Sequence, residues 1–502
     1  MEAMLQPMNK ENQTHCHTVE KVGGTSMARL PELMDTLFIG ERKGEELYSR
    51  VFVVSAFGGI TDLLLENKKT GEPGVFGLFE RAENNHGWLD ALNKVANAMC
   101  EVHDSILEHP GDRSLAGDFV RERIEGARSV LIDLQRVCSY GHFQLDRQLG
   151  SIRELLAGLG EAHSAYVTVL ALQRKGVAAR FVDLSGWRDD EKYSLEQRIE
   201  AGLRDVDLKA EIPVVTGYAQ CSEGLMEQYE RGYSEVTFSR LAAITSAREA
   251  IIHKEFHLSS ADPKIVGLEK VRKVGHTSYD VADQLSNMGM EAVHPKAAKS
   301  LRQADVPLRV RNAFEPDNAG TLIESFPSQY ATAEVVTGLD VHSIELFEQD
   351  MVGVKGYDSA ILEVLTKHRV RIVSKVSNAN TIVHYVDASL AAIGQVENEL
   401  NALYPQAEIS VRAIAIASVI GQNMKGLNIL SRGLQLLAEE DLEPMAAHQT
   451  SRNVDVQYVV ARDDLKNVVI ALHRLVEEDE AAVKQRKEKE AAVEQELAKD
   501  AA

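Results

Sequence analysis

Val19-Glu20-Lys21-Val22-Gly23-Gly24-Thr25-Ser26, close to the start of the chain, sets one lysine against two glycines and two hydroxyls. That composition suits phosphate. The lysine is a mobile cation, the glycines let backbone N–H groups come close to an anion, and the hydroxyls add donors. The stretch is not a Walker loop, because its lysine precedes the glycines and the G-x-x-x-x-G-K frame is missing. If the chain handles a nucleotide, another fold must hold it.

Moving outward, Val51-Phe52-Val53-Val54 reads as a short buried strand that runs into Ser55-Ala56-Phe57-Gly58-Gly59-Ile60-Thr61. A parallel strand ending in a Gly-Ser-Thr turn is the usual place for a ligand in an α/β sheet. Further strands are expected at 179–182, 212–215 and 249–252. Ala165, Val169 and Leu172 have helical spacing across 164–174, and Gly176 ends the pattern. Segment 75–145 reads as a mostly helical excursion between strands. The sum is a three-layer α/β domain. Pro213-Val214-Val215-Thr216-Gly217-Tyr218 is a second strand-to-glycine exit, and Glu230-Arg231-Gly232-Tyr233-Ser234-Glu235 precedes a helix through Leu241 and Ile244. An Arg-Gly-x-Ser at a helix start holds an anion with guanidinium, backbone N–H and dipole together. Each turn alone is only a strand-to-helix connection. Three of them beside Lys21 point to a site.

The chain has 502 residues, enough for two to four domains, and its 44% hydrophobic content is ordinary for packed cores. A formal charge of -21 argues against nucleic acid or an anionic membrane as partner. Cys16, Cys100, Cys138 and Cys221 are scattered without a C-x-x-C pair, so neither a zinc site nor a disulfide framework is indicated, and a reducing cytoplasm fits. No long apolar run reads as a membrane span, and the polar residues 1–17 read as a loose leader rather than a signal core.

Beyond about 330 the pattern changes to short alternating strands and helices without glycine-rich phosphate turns. Strands are expected at 341–346, 370–373 and 381–386, with helices around Ile361 to Leu365 and from Leu390 to Leu403. The cycle repeats with strands at 414–420 and 454–460, a helix over 427–437, and a last helix carrying Leu465, Val468, Leu472 and Val476. Two β-α-β-β-α-β units in series account for this. Residues 477–502 read as a charged tail, a solvated helix or a frayed end.

Seven ordered blocks resemble the amino-acid kinase superfamily and, within it, the aspartate kinases. They are Lys21 to Ser26; Val54-Ser55-Ala56 with Gly59-Ile60-Thr61; Gly160-Glu161-Ala162-His163-Ser164-Ala165; Arg231-Gly232 with Ser234; Ala261-Asp262-Pro263-Lys264-Ile265-Val266; His294-Pro295; and Pro307 to Asn312 with Gly320-Thr321-Leu322. The resemblance implies a catalytic kinase domain over 18–325 and tandem ferredoxin-like ACT domains, regulatory and dimerising, over 330–476. It implies phosphorylation of the L-aspartate side-chain carboxylate by ATP with Mg2+, giving 4-phospho-L-aspartate. Lys21 would then contact the transferred phosphoryl, with Gly23, Gly24 and Ser55 at the same end. Thr61, Glu161, Arg231 and Ser234 would hold aspartate, Arg231 forking onto the α-carboxylate and Glu161 facing the ammonium. Glu235 would complete the catalytic set, and Lys254, Ser259 and Lys264 would border the nucleotide, with no set of protein metal ligands. Ser377-Asn378-Ala379-Asn380-Thr381 resembles the segment lining an ACT effector site, which implies Ser377, Asn378, Asn380 and Thr381 as contacts for an amino-acid effector such as lysine or threonine. A homodimer through the ACT domains, or a tetramer, is implied as well.

The departures from the family pattern cluster. Tyr233 stands where glycine is usual and Glu235 where aspartate is; Lys254 replaces an aspartate, Ser259 an aromatic and Glu291 a lysine. Lys254 and Glu291 are expected to be neighbours whose signs have been exchanged. Adenine packing lost at Ser259 is expected from Phe256 or Tyr233. The segment from His253 to Pro263 resembles the aspartate kinases of ectoine biosynthesis. The alternatives are a kinase for glutamate, carbamate or a nucleoside monophosphate, and a catalytically silent amino-acid sensor with a degenerate kinase domain.

Overall fold

The computed structural model describes residues 17–68, 70–81, 87–229, 232–290, 293–325 and 330–500. By compactness these fall into two units: the residues up to His257 together with Val293–Ser325, and the segment from Leu258 to 290 together with the residues from 330 onward.

In the first unit, strands β1 (Thr18–Val22), β2 (Arg50–Val54), β3 (Ala179–Val182), β4 (Ile212–Thr216), β5 (Glu249–Lys254), β6 (Leu308–Asn312) and β7 (Thr321–Glu324) lie in the order β3-β4-β2-β1-β5-β6-β7. All neighbours pair in parallel except β6 and β7. Every residue of β1, β2 and β4 is buried. A strand buried on both faces needs cover on both, which is what makes this a layered α/β unit. The sheet grows to one side of β1 through β4 and to the other from β5 onward. The carboxyl ends of β1 and β5 therefore flank the switch in strand order where α/β sheets hold ligands.

The described residues of segment 75–145 are mostly helical, as its pattern suggests, with α1 (Gly87–Ile106) and α2 (Pro110–Cys138) as its main elements. Helix α3 (Leu149–Arg174) begins well before Ser164, the start that the spacing suggests. By length and hydropathy α3 passes for a membrane span, which the sequence reading missed because Glu161 and His163 interrupt the run. Its apolar window is 83% buried inside the protein, as in a core helix.

Beneath β1 runs a charged network. Arg50 donates to Glu20 from Nε at 2.7 Å and from Nη2 at 3.1 Å, and to the carbonyls of Phe38 and Leu37 at 3.0 Å each. His253 Nε2 lies 2.8 Å from the second Glu20 oxygen. Burial pushes the Glu20 carboxyl up, but Arg50 and His253 outweigh it and hold the group well below the usual carboxylate range.

The second unit is built on one antiparallel sheet. Its strands β8 (Thr332–Phe347), β9 (Arg371–Ser377), β10 (Thr381–Asp387), β11 (Glu408–Gln422), β12 (Ala446–Gln449) and β13 (Asp455–Ala461) lie in the order β9-β10-β8-β11-β13-β12. Helices α4 (Tyr357–Lys367), α5 (Leu390–Leu403), α6 (Ile429–Glu439) and α7 (Leu465–Asp500) complete two ferredoxin-like halves. The halves are nested through the two long strands β8 and β11. The far end of β8 opens the first half, while its near end, Thr332 to Asp340, pairs with the far end of β11 and supplies the last strand of the second. Gly338 sits inside β8, where a Cβ would meet Leu465 Cδ1 at 2.6 Å. The glycine serves the close approach of α7.

Helix α7 stays helical past 477, where the composition suggests a solvated tail. Asp479 anchors it: the buried carboxylate accepts from Ala333 N at 3.0 Å and Arg432 Nη1 at 2.9 Å. Strand β12 has no counterpart in the sequence reading, because Ala446-Ala447-His448-Gln449 lacks β-branched or aromatic residues and is held by pairing with β13 alone.

Candidate active site

Lys21 sits one residue from the carboxyl end of β1, and Lys254 ends β5. Parallel pairing aligns Lys21 with Ile252, so both lysines emerge at the same edge of the sheet. Both reach Glu235, in the first turn of α8 (Tyr233–Ile244): Lys21 Nζ lies 3.5 Å from Oε1 and Lys254 Nζ 3.9 Å. The other Glu235 oxygen accepts the backbone N–H of His294 at 2.6 Å. Burial raises the Glu235 carboxyl, yet the two lysines and this amide prevail and keep it below its ordinary value. Two buried or half-buried cations thus face one ionised carboxylate.

Gly24 follows Lys21 at the start of a short helix, Gly24–Met27, where a Cβ would lie 2.6 Å from the Ala56 carbonyl oxygen. Only glycine lets the two loops after β1 and β2 come this close. Gly23 borders Lys21, a Cβ there falling 3.7 Å from Nζ. Ser26 donates to Glu255 Oε1 at 2.6 Å, a link that the sequence reading did not find. In the β2 loop, Ser55 Oγ and Ser234 Oγ are 3.2 Å apart, and Ser164 donates to the Ser55 carbonyl at 2.7 Å. Thr61, half-buried, lies in the short helix Ile60–Leu64 of the same loop.

Glu161 lies in the middle of α3 and is 2% exposed, so attraction to a helix start does not account for it. Burial pushes its carboxyl up to about 8, against the pull of the Tyr233 hydroxyl, Lys21 and the amides of Tyr218 and Ala56. One oxygen, Oε2, has no hydrogen-bond partner among the described residues. A Cβ on Gly217 would collide with that oxygen, so this glycine keeps its flank open.

The structure thus brings Lys21, Glu235 and Lys254 together, and sets Glu161, Ser55 and Ser234 beside them. Arg231 and Glu291 lie outside the described residues. Lys254 reaches Glu235, and the neighbour expected for it from the exchanged signs, Glu291, is among the residues not described. Tyr233 is 3% exposed and bonded to Glu161, which makes it unsuited to stack on adenine; its ring stands edge-on to Tyr218 at 5.8 Å. Phe256, 57% exposed, keeps that option.

Ser259 and Lys264 belong to the second unit. There Ser259 donates to the Ala261 carbonyl at 3.1 Å, and exposed Lys264 opens a short helix whose cap, Asp262, accepts its N–H at 2.8 Å. In the hairpin joining β9 and β10, Asn378 Oδ1 accepts from Asn380 N at 3.1 Å and Thr381 N at 2.9 Å, and Thr381 Oγ1 donates to Asn380 Oδ1 at 3.3 Å. Ser377 closes β9 beside them. These side chains build the turn itself, a role that their Ser-Asn-Asn-Thr composition serves without an effector.

The amino acid kinase family model matches residues 17–312. Aspartate kinase Ask_Ect from Stutzerimonas stutzeri (strain A1501) is 47% identical over 466 residues, covering 92% of this chain and 98% of that protein. The aspartokinase of Saccharomyces cerevisiae is 24% identical over 511 residues, covering 91% of this chain and 92% of its own. Among solved structures, E. coli aspartokinase III in complex with lysine and aspartate shares the fold with a TM-score of 0.71 at 16% identity, over 92% of this chain and 99% of that one. The same enzyme with aspartate and ADP gives 0.64 at 17% identity, with the same two coverages, 92% and 99%. On the family match and the extent of the Stutzerimonas likeness, the chain belongs to the amino acid kinase family, among the aspartate kinases.

Proposed function

We propose that this protein transfers a phosphoryl group from ATP to the side-chain carboxylate of L-aspartate, forming 4-phospho-L-aspartate. The observation that carries the reading is the trio of Lys21, Lys254 and Glu235 at the carboxyl ends of β1 and β5. Two cations beside a glycine cradle fit a polyphosphate, and ATP supplies the phosphoryl group when bound. Among the described residues no group of three or more His, Cys, Asp or Glu side chains forms a metal cage. Mg2+ is commonly held by one or two carboxylates together with substrate phosphates, and Glu235 is a carboxylate at this end.

An aspartate carboxylate is already ionised at neutral pH, so the reaction needs no general base. The protein's task is placement and charge. Glu161 takes the ammonium and Arg231 the α-carboxylate, which leaves the side-chain carboxylate as nucleophile. Lys21 neutralises charge that builds on the transferred group. Lys254 adds a second cation where the family pattern has an aspartate. Lys254→Asp is expected to raise the KM for ATP about tenfold or more and to change the KM for aspartate little; steady-state kinetics with each substrate varied checks this.

A cytoplasmic homodimer formed through the second unit, with an amino-acid effector bound there, belongs to the same proposal. So does delivery of the product to aspartate-family or ectoine biosynthesis. The nested ferredoxin-like halves and the likeness to Ask_Ect support these readings. The silent-sensor alternative is disfavoured by the intact Lys21–Glu235 pair. Trapping aspartyl phosphate as its hydroxamate, with ATP and Mg2+ present, tests the proposal. Product from aspartate and none from glutamate is expected. No product, together with amino-acid binding to the protein, would favour the sensor.

A further inference from the structure

We infer that Tyr233 is a positioning residue for the amino-acid substrate: its hydroxyl holds one oxygen of Glu161 and so aims the other, Oε2, at the incoming ammonium. The inference rests on the aspartate-kinase reading above.

The geometry is that of a held carboxylate. Glu161 is rooted mid-helix and almost fully buried, with the Tyr233 hydroxyl and the amides of Tyr218 and Ala56 bonded to it. Oε2 is nonetheless left with no partner among the described residues, on the side that Gly217 keeps clear. An unpartnered buried carboxylate oxygen is costly unless a ligand completes it. An ammonium supplies what is missing, as donor and as countercharge. Tyr233 is itself fixed. It starts α8, and its ring stands edge-on to Tyr218, whose own hydroxyl donates to Glu154 Oε2 at 3.0 Å. Glu154 also accepts from Met226 N at 3.1 Å. A chain of Glu154, Tyr218 and Tyr233 thus braces Glu161. A glycine at 233, the usual residue of the family pattern, would offer no such hydroxyl.

Among the described residues, the charged and titratable groups around Glu161 include Lys21 from β1, Tyr233 from α8, Tyr218 from the loop after β4, and Glu154 and His163 on its own helix. His163 is held neutral because burial drives it down to about 3. With the Glu161 carboxyl pushed up to about 8, the empty site is largely protonated at neutral pH, and ammonium binding requires the ionised form. Aspartate affinity therefore rises with pH through this range. A phenol donating to the carboxylate favours ionisation, so removing it moves the rise to higher pH.

The test is the dissociation constant of L-aspartate, measured by calorimetry on the full chain from about pH 6.5 to 9, for wild type and Tyr233→Phe. The phenyl ring keeps the Tyr218 contact and so protects folding. At pH 7.5 the variant is expected to bind aspartate about tenfold more weakly, with the midpoint raised by about one pH unit. Its kcat at saturating aspartate should stay within about twofold of wild type. Unchanged affinity and midpoint would overturn the inference, as would an equal loss at every pH, which marks a merely structural role. If wild type binds aspartate but forms no hydroxamate-trappable product, the kinase reading fails while the calorimetric comparison still decides on Tyr233. Wild type that binds no aspartate at any pH overturns both.

Discussion

Lys21→Met lowers kcat by about 10³-fold and leaves the KM for aspartate within about threefold: this is the expected result of removing one preorganised cation from a phosphoryl-transfer site. Methionine keeps the length and apolar stem of lysine, so packing at the end of β1 survives. Glu235 retains Lys254 and the His294 amide, and does not become an uncompensated buried charge. The loss should therefore appear in the chemical step. Single-turnover quench experiments with saturating ATP and aspartate separate that step from binding. A fall of less than about tenfold would remove Lys21 from the phosphoryl end and transfer the role to Lys254.

Arg50→Ala is expected to give the largest loss of stability in the first unit, about 3–5 kcal/mol. The substitution leaves Glu20 with His253 as its hydrogen-bonded ionisable partner, and it leaves the carbonyls of Leu37 and Phe38 without the Arg50 donor. Urea unfolding followed by tryptophan fluorescence checks it, since Trp88 and Trp187, the chain's two tryptophans, both lie in this unit. The pH dependence has a definite sign. In wild type the Glu20 carboxyl is held below its unfolded value, so its contribution is present above about 4.5 and is lost as pH falls toward the folded value. Without Arg50, burial dominates and the folded carboxyl rises instead. The gap between wild type and variant should then narrow on acidification through that window. An equal gap at pH 7 and pH 4 would mean that Arg50 acts by packing alone.

Much of this was legible in the chain because strands with apolar runs and glycine exits have short-range signatures. Val51 to Val54 and Ile212 to Val215 needed no distant information, and neither did the lysine beside Gly23 and Gly24. What escaped depended on partners far away in sequence. Nothing near Lys254 in the sequence points to Glu235, which α8 carries to the ends of β1 and β5 and within reach of that lysine. Tyr233 stood out as a large residue at a glycine position, but nothing local says that its hydroxyl turns inward to Glu161 and away from a nucleotide base. Gly338 carries no local sign of its role either, since a glycine that admits a helix looks the same in sequence as one that makes a turn.

The pairing of β8 with β11 along their full lengths has a consequence for the order in which the chain acquires its shape. As the polypeptide emerges from the ribosome, Thr332 to Asp340 appears first, but its partner at the far end of β11 follows only after the whole of the first ferredoxin-like half. The second half cannot close until α7 is made, because Leu465 fills the place that Gly338 leaves. The early segment must wait as an open strand edge while later sequence arrives. Maturation of this unit is thus tied to the chain's last helix, and a polypeptide that stops just short of Leu465 carries all the strands but not the helix that packs against Gly338.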